Sequence, residues 1–134
     1  MLEGLGEQDF AEVSAHQLLG VALQRRATCL MEMRNTVAAE QDISQSEAML
    51  TKLYKDNSNN LKVLRDLADC YRAKGNLAAR RSRSQDATRA YQQSLDLWQR
   101  WLQIGKTSVF DQRQRELALH LVRNSVQHKG KPRA

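Results

Sequence analysis

Arg72 and Asn76 stand four residues apart, and Arg80 follows after another four. On a helix this spacing lines the three side chains along one side. Guanidinium and carboxamide groups donate hydrogen bonds in geometries that suit a carboxylate. The chemistry on offer is therefore capture of an acidic group. Bond-breaking chemistry has no comparable support. His16, His120 and His128 each lack a second metal ligand at helical spacing, and no nucleophile–base pair can be drawn from them. The carboxylates are scattered, so none are singled out as a general acid–base pair. The expectation is a chain that is not an enzyme, with no catalytic residue, no metal site and no cofactor.

The 134 residues carry a net charge of +6, with one dense basic run at Arg80-Arg81-Ser82-Arg83. Such a balance suits acidic partners, and the run itself reads as a solvated basic loop. No aromatic residue interleaves with it, which disfavours nucleic acid as the partner. Cys29 and Cys70 lie far apart, each on the apolar side of an expected helix, where buried free thiols are the ordinary outcome. They form no metal-binding pair and no disulfide framework, which fits a reducing cytoplasm. The longest apolar run, residues 18–23, is too short to span a membrane, so no membrane partner is expected.

One Pro and six Gly are few for a β-rich chain, and Ala, Leu, Gln, Arg and Glu favour helix. Apolar residues recur at spacings of three and four in five segments. The first covers residues 9–33, with a stripe of Ala15, Leu18, Leu19, Ala22, Leu23, Leu30 and Met33. The second covers 37–54, capped by Asn35 or Thr36, with Ala39, Ile43, Leu50 and Leu53 and a polar Ser46 interposed. After the loop at 56–60, the third covers 61–80. The fourth runs from a cap at Ser84 to residue 104, and carries Ala87, Tyr91, Ser94, Leu95, Trp98 and Trp101. The fifth follows a cap at Thr107 or Ser108. Residues 1–8 are expected to be flexible, 9–126 to form one helical repeat domain, and 127–134 to be a basic disordered tail.

An internal repeat is visible. Arg65-Asp66-Leu67-Ala68 recurs as Arg115-Glu116-Leu117-Ala118 fifty positions later, and residues 39–43 correspond to 87–91 at a shift of forty-eight. In residues 61–102 a bulky Tyr71 precedes a small Gly75, and Ala87, Tyr91 and Ser94 follow at helical spacing. Large and small residues alternating on facing stripes let two helices interdigitate at close range.

Over residues 15–125 this pattern resembles the tetratricopeptide (TPR) repeat superfamily, whose unit is about 34 residues. It looks most like the longer repeats that follow the catalytic domain of bacterial serine/threonine protein kinases. The motifs that carry the likeness are Arg65 to Ala68, Arg115 to Ala118 and the asparagine-rich linker at 56–60. The resemblance implies antiparallel helical hairpins stacked as a short right-handed solenoid, with the first helix of each hairpin lining a concave groove. It does not carry over kinase activity, because the chain lacks the glycine-rich loop with its lysine and the catalytic-loop and metal-binding motifs. Some relatives hold a peptide's terminal carboxylate through a basic residue and an asparagine at the places of Arg72 and Asn76. Gln24 and Thr28 stand there in the first unit. The implied function is a protein–protein interaction scaffold for a protein or acidic peptide, cytoplasmic and attached to signalling proteins. The alternatives are a basic nucleic-acid-binding helical domain, or a structural oligomerisation segment. A fifth helix without a second helix of its own leaves an open side, through which a homodimer is expected.

Overall fold

The computed structural model describes residues 6–56, 60–104 and 109–129, with side chains over 15–56, 60–103 and 110–126. Among the described residues there are five α-helices and no strand: α1 (Gly6–Glu32), α2 (Thr36–Asp56), α3 (Leu61–Arg80), α4 (Ser84–Ile104) and α5 (Val109–Lys129). The all-α architecture of helical hairpins is the one expected from the spacing. Helix α5 extends through 127–129, which were expected to begin the tail. The proposed caps Thr107 and Ser108 lie outside the described residues, as do 1–5 and 130–134. The chain gathers into two compact units, Met1–Asp66 and Leu67–Ala134, with the boundary inside α3.

The turns that make the hairpins share one design. After α1, the Asn35 amide donates to the Leu30 carbonyl and Arg34 donates to Met31; after α3, Arg83 donates to Ala78 and Ser82 to Ala79. This six-to-one and five-to-two pattern is a Schellman motif, which needs a left-handed residue at its centre. Arg34 (φ 62°) and Ser82 (φ 59°) supply it, although neither is glycine. Gly75, which could itself have ended the third helix, stays inside α3. Asn35 caps α2 by accepting from the Ala38 amide at 3.3 Å, and Asn60 caps α3 by accepting from Lys62 and Val63 at 3.1 and 3.2 Å. Ser84 is not the cap expected of it. It is the first helical residue of α4, and the Arg83 carbonyl before it accepts the Ala87 amide.

In the first unit α1 and α2 run antiparallel, and the buried face of α1 is not the one the apolar spacing suggested. Leu23, Ala27 and Met31 are buried with Gln17 and Gly20, whereas Leu18, Leu19 and Met33 are exposed. Helix α1 carries apolar residues on two opposite sides, so periodicity could not choose between them. Backbone approach decides. The Ser46 hydroxyl donates to the Gly20 carbonyl at 2.7 Å, and a Cβ at Gly20 would stand 2.9 Å from Leu50 Cγ. Ser46, which looked like a gap in the stripe of α2, is thus fully buried and bonded. Cys29 is a further correction. It lies on the exposed side of α1, while Cys70 is buried as expected, and neither takes part in a disulfide.

Two carboxylates of this unit respond to pH in opposite directions. Arg26 clasps Asp42 through Nε and Nη2, both at 2.7 Å. Those hydrogen bonds hold the Asp42 carboxyl below its ordinary range, outweighing the opposing effect of burial. Its contribution is therefore present above the unfolded pKa of about 3.9 and is lost as pH falls through the folded value. Burial pushes Asp66 the other way, although Gln17 donates to it at 2.7 Å. Its contribution is present below the unfolded pKa and is lost as pH rises through the raised folded value. Asp42→Asn should accordingly destabilise the chain at neutral pH and cease to do so in acid, once the pH falls below the lowered folded pKa. Asp66→Asn should be most favourable near neutrality. Urea midpoints of the three proteins between those pH values check both signs; a cost of Asp42→Asn that persists in acid would show that its carboxylate charge is not what matters.

The second unit repeats the arrangement. Ser94 donates to the Ala68 carbonyl at 2.8 Å, forty-eight positions after Ser46 and Gly20. Leu67, Ala87, Tyr91, Leu95 and Trp98 are buried as expected, and Tyr71 is only half-buried. Trp101 is buried too and donates its indole N–H to Asp111 Oδ2 at 3.0 Å. At the other end, Thr88 bonds Ser125 at 2.8 Å, so α5 runs antiparallel to α4.

Candidate interaction site

Arg72 projects from the middle of α3 and lies between two acceptors. Its Nη1 donates to Gln114 Oε1 of α5 at 3.3 Å, and its Nη2 lies 3.7 Å from Asp69 Oδ1, one turn earlier on α3. About a third of the side chain remains open to solvent (34 %). The guanidinium is thus oriented by its neighbours and still reachable. A long bond to a neutral amide and a loose ion pair are both exchangeable for a carboxylate that approaches with ideal geometry.

Asn76 is exposed, one turn beyond Arg72, but its carbonyl is engaged. The Tyr91 hydroxyl donates to Asn76 Oδ1 at 2.6 Å. Burial pushes the Tyr91 phenol up, which keeps it a neutral donor. That bond turns the carboxamide so that its oxygen faces the tyrosine and its NH2 group is directed away from it. Arg80 is exposed at the last turn of α3, beside the exposed Arg83 of the turn. The structure therefore keeps the three residues on one helix, with Arg72 bonded to Gln114 of α5 and Asn76 to Tyr91 of α4.

Sequence spacing missed the residues of α5 that complete this face. Gln114 is found only through its contact with Arg72, forty-two positions away. Arg115 follows it with an Nε that is shielded from solvent and has no hydrogen-bond partner. A buried donor left without a partner calls for an acceptor. The one sequence signal for Arg115 was its place in the Arg-acid-Leu-Ala repeat. His16 and His120 are exposed on their helices, and His120 Nε2 meets Asn124 at 3.0 Å. Among the described residues no three His, Cys, Asp or Glu side chains are grouped to hold a metal ion, and no helix is long and apolar enough to cross a membrane.

The chain matches no protein-family model, no curated protein and no solved structure.

Proposed function

We propose that the chain is a non-catalytic, TPR-like protein–protein interaction module that receives an acidic or carboxylate-ended peptide segment on the α3–α5 face of its second unit. The observation that carries this reading is Arg72: a guanidinium about one-third exposed, suspended between Gln114 and Asp69. Arg115, next after Gln114 on α5, carries a shielded donor without a hydrogen-bond partner. Arg80 adds positive charge, and the exposed Asn76 lies next along the helix. The hairpin repeat, with its matched serine–carbonyl bonds and left-handed turns, supports the TPR-like part of the reading. A cytoplasmic setting, as the C-terminal part of a bacterial signalling kinase, accords with two cysteines that form no disulfide and with the repeat motifs.

Titration of the chain with a pool of acidic peptides, amidated and free at the C-terminus, tests it. Arg72→Ala should weaken binding by roughly tenfold while helicity is unchanged, and Asn76→Ala by less, because its carbonyl is already committed to Tyr91. The difference between wild type and Arg72→Ala should shrink in high salt. Equal affinities for all three proteins would place the binding surface elsewhere.

A further inference from the structure

We infer that one side of α5, formed by Phe110, Leu117 and Leu121, is the apolar wall of the α3–α5 face, and that the segment received there is an extended one in which acidic and apolar side chains alternate. This rests on Arg72 being the receptor for a carboxylate. Phe110 is 56 % exposed and Leu117 38 %, and Leu121 is half-buried. The three stand four before, three after and seven after Gln114, so they share its side of the helix. Gln114 is the residue that meets Arg72 of α3 at 3.3 Å. Its bond therefore fixes which side of α5 is turned toward α3. The internal repeat makes the exposure meaningful. Leu117 stands fifty residues after Leu67, which is only 2 % exposed. The same leucine is packed on α3 and open on α5.

Register brings the two walls together. Helices α3 and α5 each run antiparallel to α4, so they are parallel to one another. With Arg72 level with Gln114, Leu117 falls between Arg72 and Asn76 along the axis, and Leu121 falls close to the level of Arg80. The α3 wall offers donors and positive charge, and the α5 wall offers apolar surface. Charge and polarity then select the occupant. A uniformly acidic ligand would leave the leucines in water, and an apolar one would bring no counter-charge to the guanidinium. Successive side chains of an extended segment point to opposite sides, and packed helices lie about 8–10 Å apart. One residue can therefore rest on α5 while its acidic neighbour reaches Arg72. A second copy fits less well. Arg113, four residues before Leu117, is exposed beside the stripe, so two copies paired through it would set arginine against arginine.

Calorimetric titration with two acetylated, amidated peptides tests the assignment. One alternates leucine and glutamate over about eight residues, enough to run along the helix pair; the other has serine in place of each leucine. The wild-type chain should bind the leucine peptide roughly tenfold more tightly. That preference should persist in high salt, because apolar burial is not screened. Phe110→Ser/Leu117→Ser should lose most of it at unchanged helicity, and Phe110→Ser alone, at the more exposed position, should reduce it about threefold. Val126→Ser, on the opposite side of α5 and 52 % exposed, should leave it as it is. Arg72→Ala should weaken both peptides alike and leave the preference standing. Equal affinities of the wild type for the two peptides, or a preference that survives the double substitution, would overturn the apolar wall and leave Arg72 in place. So would a double variant that weakens both peptides alike, since the stripe would then only hold α5 in position. Affinities unchanged in Arg72→Ala, or no binding of either peptide by the wild type, would overturn the carboxylate reading and this inference with it. A wild-type dimer that sedimentation shows to dissociate on Phe110→Ser would assign the stripe to a second copy instead, as the sequence-based expectation of pairing through α5 had it.

Discussion

Truncating Tyr91 to alanine is expected to cost about 3–5 kcal/mol of unfolding free energy, and adding a single methyl at Gly75 about 2 kcal/mol. The two numbers describe one contact from its two sides. The Tyr91 ring is buried against the backbone of α3, and a Cβ at Gly75 would overlap its Cε1 and Cδ1 atoms. The ring cannot swing away cheaply, because its hydroxyl is tied to Asn76. In an exposed helix, Gly→Ala would gain about 1 kcal/mol. Here that gain is outweighed by overpacking of roughly 3 kcal/mol. The sign should therefore reverse in a Tyr91→Ala background, where Gly75→Ala becomes stabilising by about 1 kcal/mol. Denaturant unfolding of the four chains of this cycle decides the matter. Stabilisation of the wild type by Gly75→Ala would mean that the helices do not meet at this point.

Close approach of these two helices was legible in the chain, though the pairing of Gly75 with Tyr91 was not, and it shows what kind of information a sequence holds. A glycine amid good helix formers, four residues after one tyrosine and sixteen before another, is a statement about close approach. The helices themselves were legible for the same reason: long segments of strong propensity, separated by polar or glycine-containing breaks. Helix α1 was legible as a helix but not as a packed element. Its apolar residues lie on two sides, and the side that packs is selected by a hydroxyl on α2, at Ser46, meeting the bare backbone of Gly20. Gln17 is buried for a similar reason, through a bond to Asp66 forty-nine residues away. Polar residues that read as interruptions are in fact the register pins of the hairpins.

The candidate site was legible only in part, and the missing part has a physical cause. Spacing along one helix finds side chains that share a face; it cannot find what a neighbouring helix brings to them. Arg72 was found, and Gln114 and Arg115 were not. Asn76 was found as a donor, but its oxygen is occupied by the residue that fills the space over Gly75. The amide is thus fixed by packing and available to a ligand at one end only. A substitution at Tyr91 should therefore disturb the proposed peptide-binding face as well as the core.

Trp101→Ala is expected to cost about 3–5 kcal/mol and to act chiefly on α5. The indole is buried, meets Trp98 edge to face at a centroid distance of 6.2 Å and an interplanar angle of 66°, and donates to the buried Asp111 in the first turns of α5. It is thus both wall and hydrogen-bond donor for the start of that helix. Apart from this bond, a polar contact to α4 comes from Thr88 and Ser125 near its other end. Removing the indole leaves a cavity and strips a buried carboxylate of one donor, which together should let α5 open before the rest of the unit. Trp101→Phe separates the two effects. It keeps a large aromatic ring but loses the N–H and part of the indole volume, so it should cost about 1–3 kcal/mol. Asp111→Asn keeps an acceptor for the indole and should cost less than either. Amide hydrogen exchange in Trp101→Ala should show protection falling over 109–129 more than over 67–80. Uniform loss across both segments would mean that the unit opens as one body. Unchanged protection of α5 would show that the indole does not hold it. Because Gln114 rides on α5, its opening should also remove the second wall of the proposed peptide-binding face, and on that proposal peptide affinity should fall in Trp101→Ala though Arg72 itself is untouched.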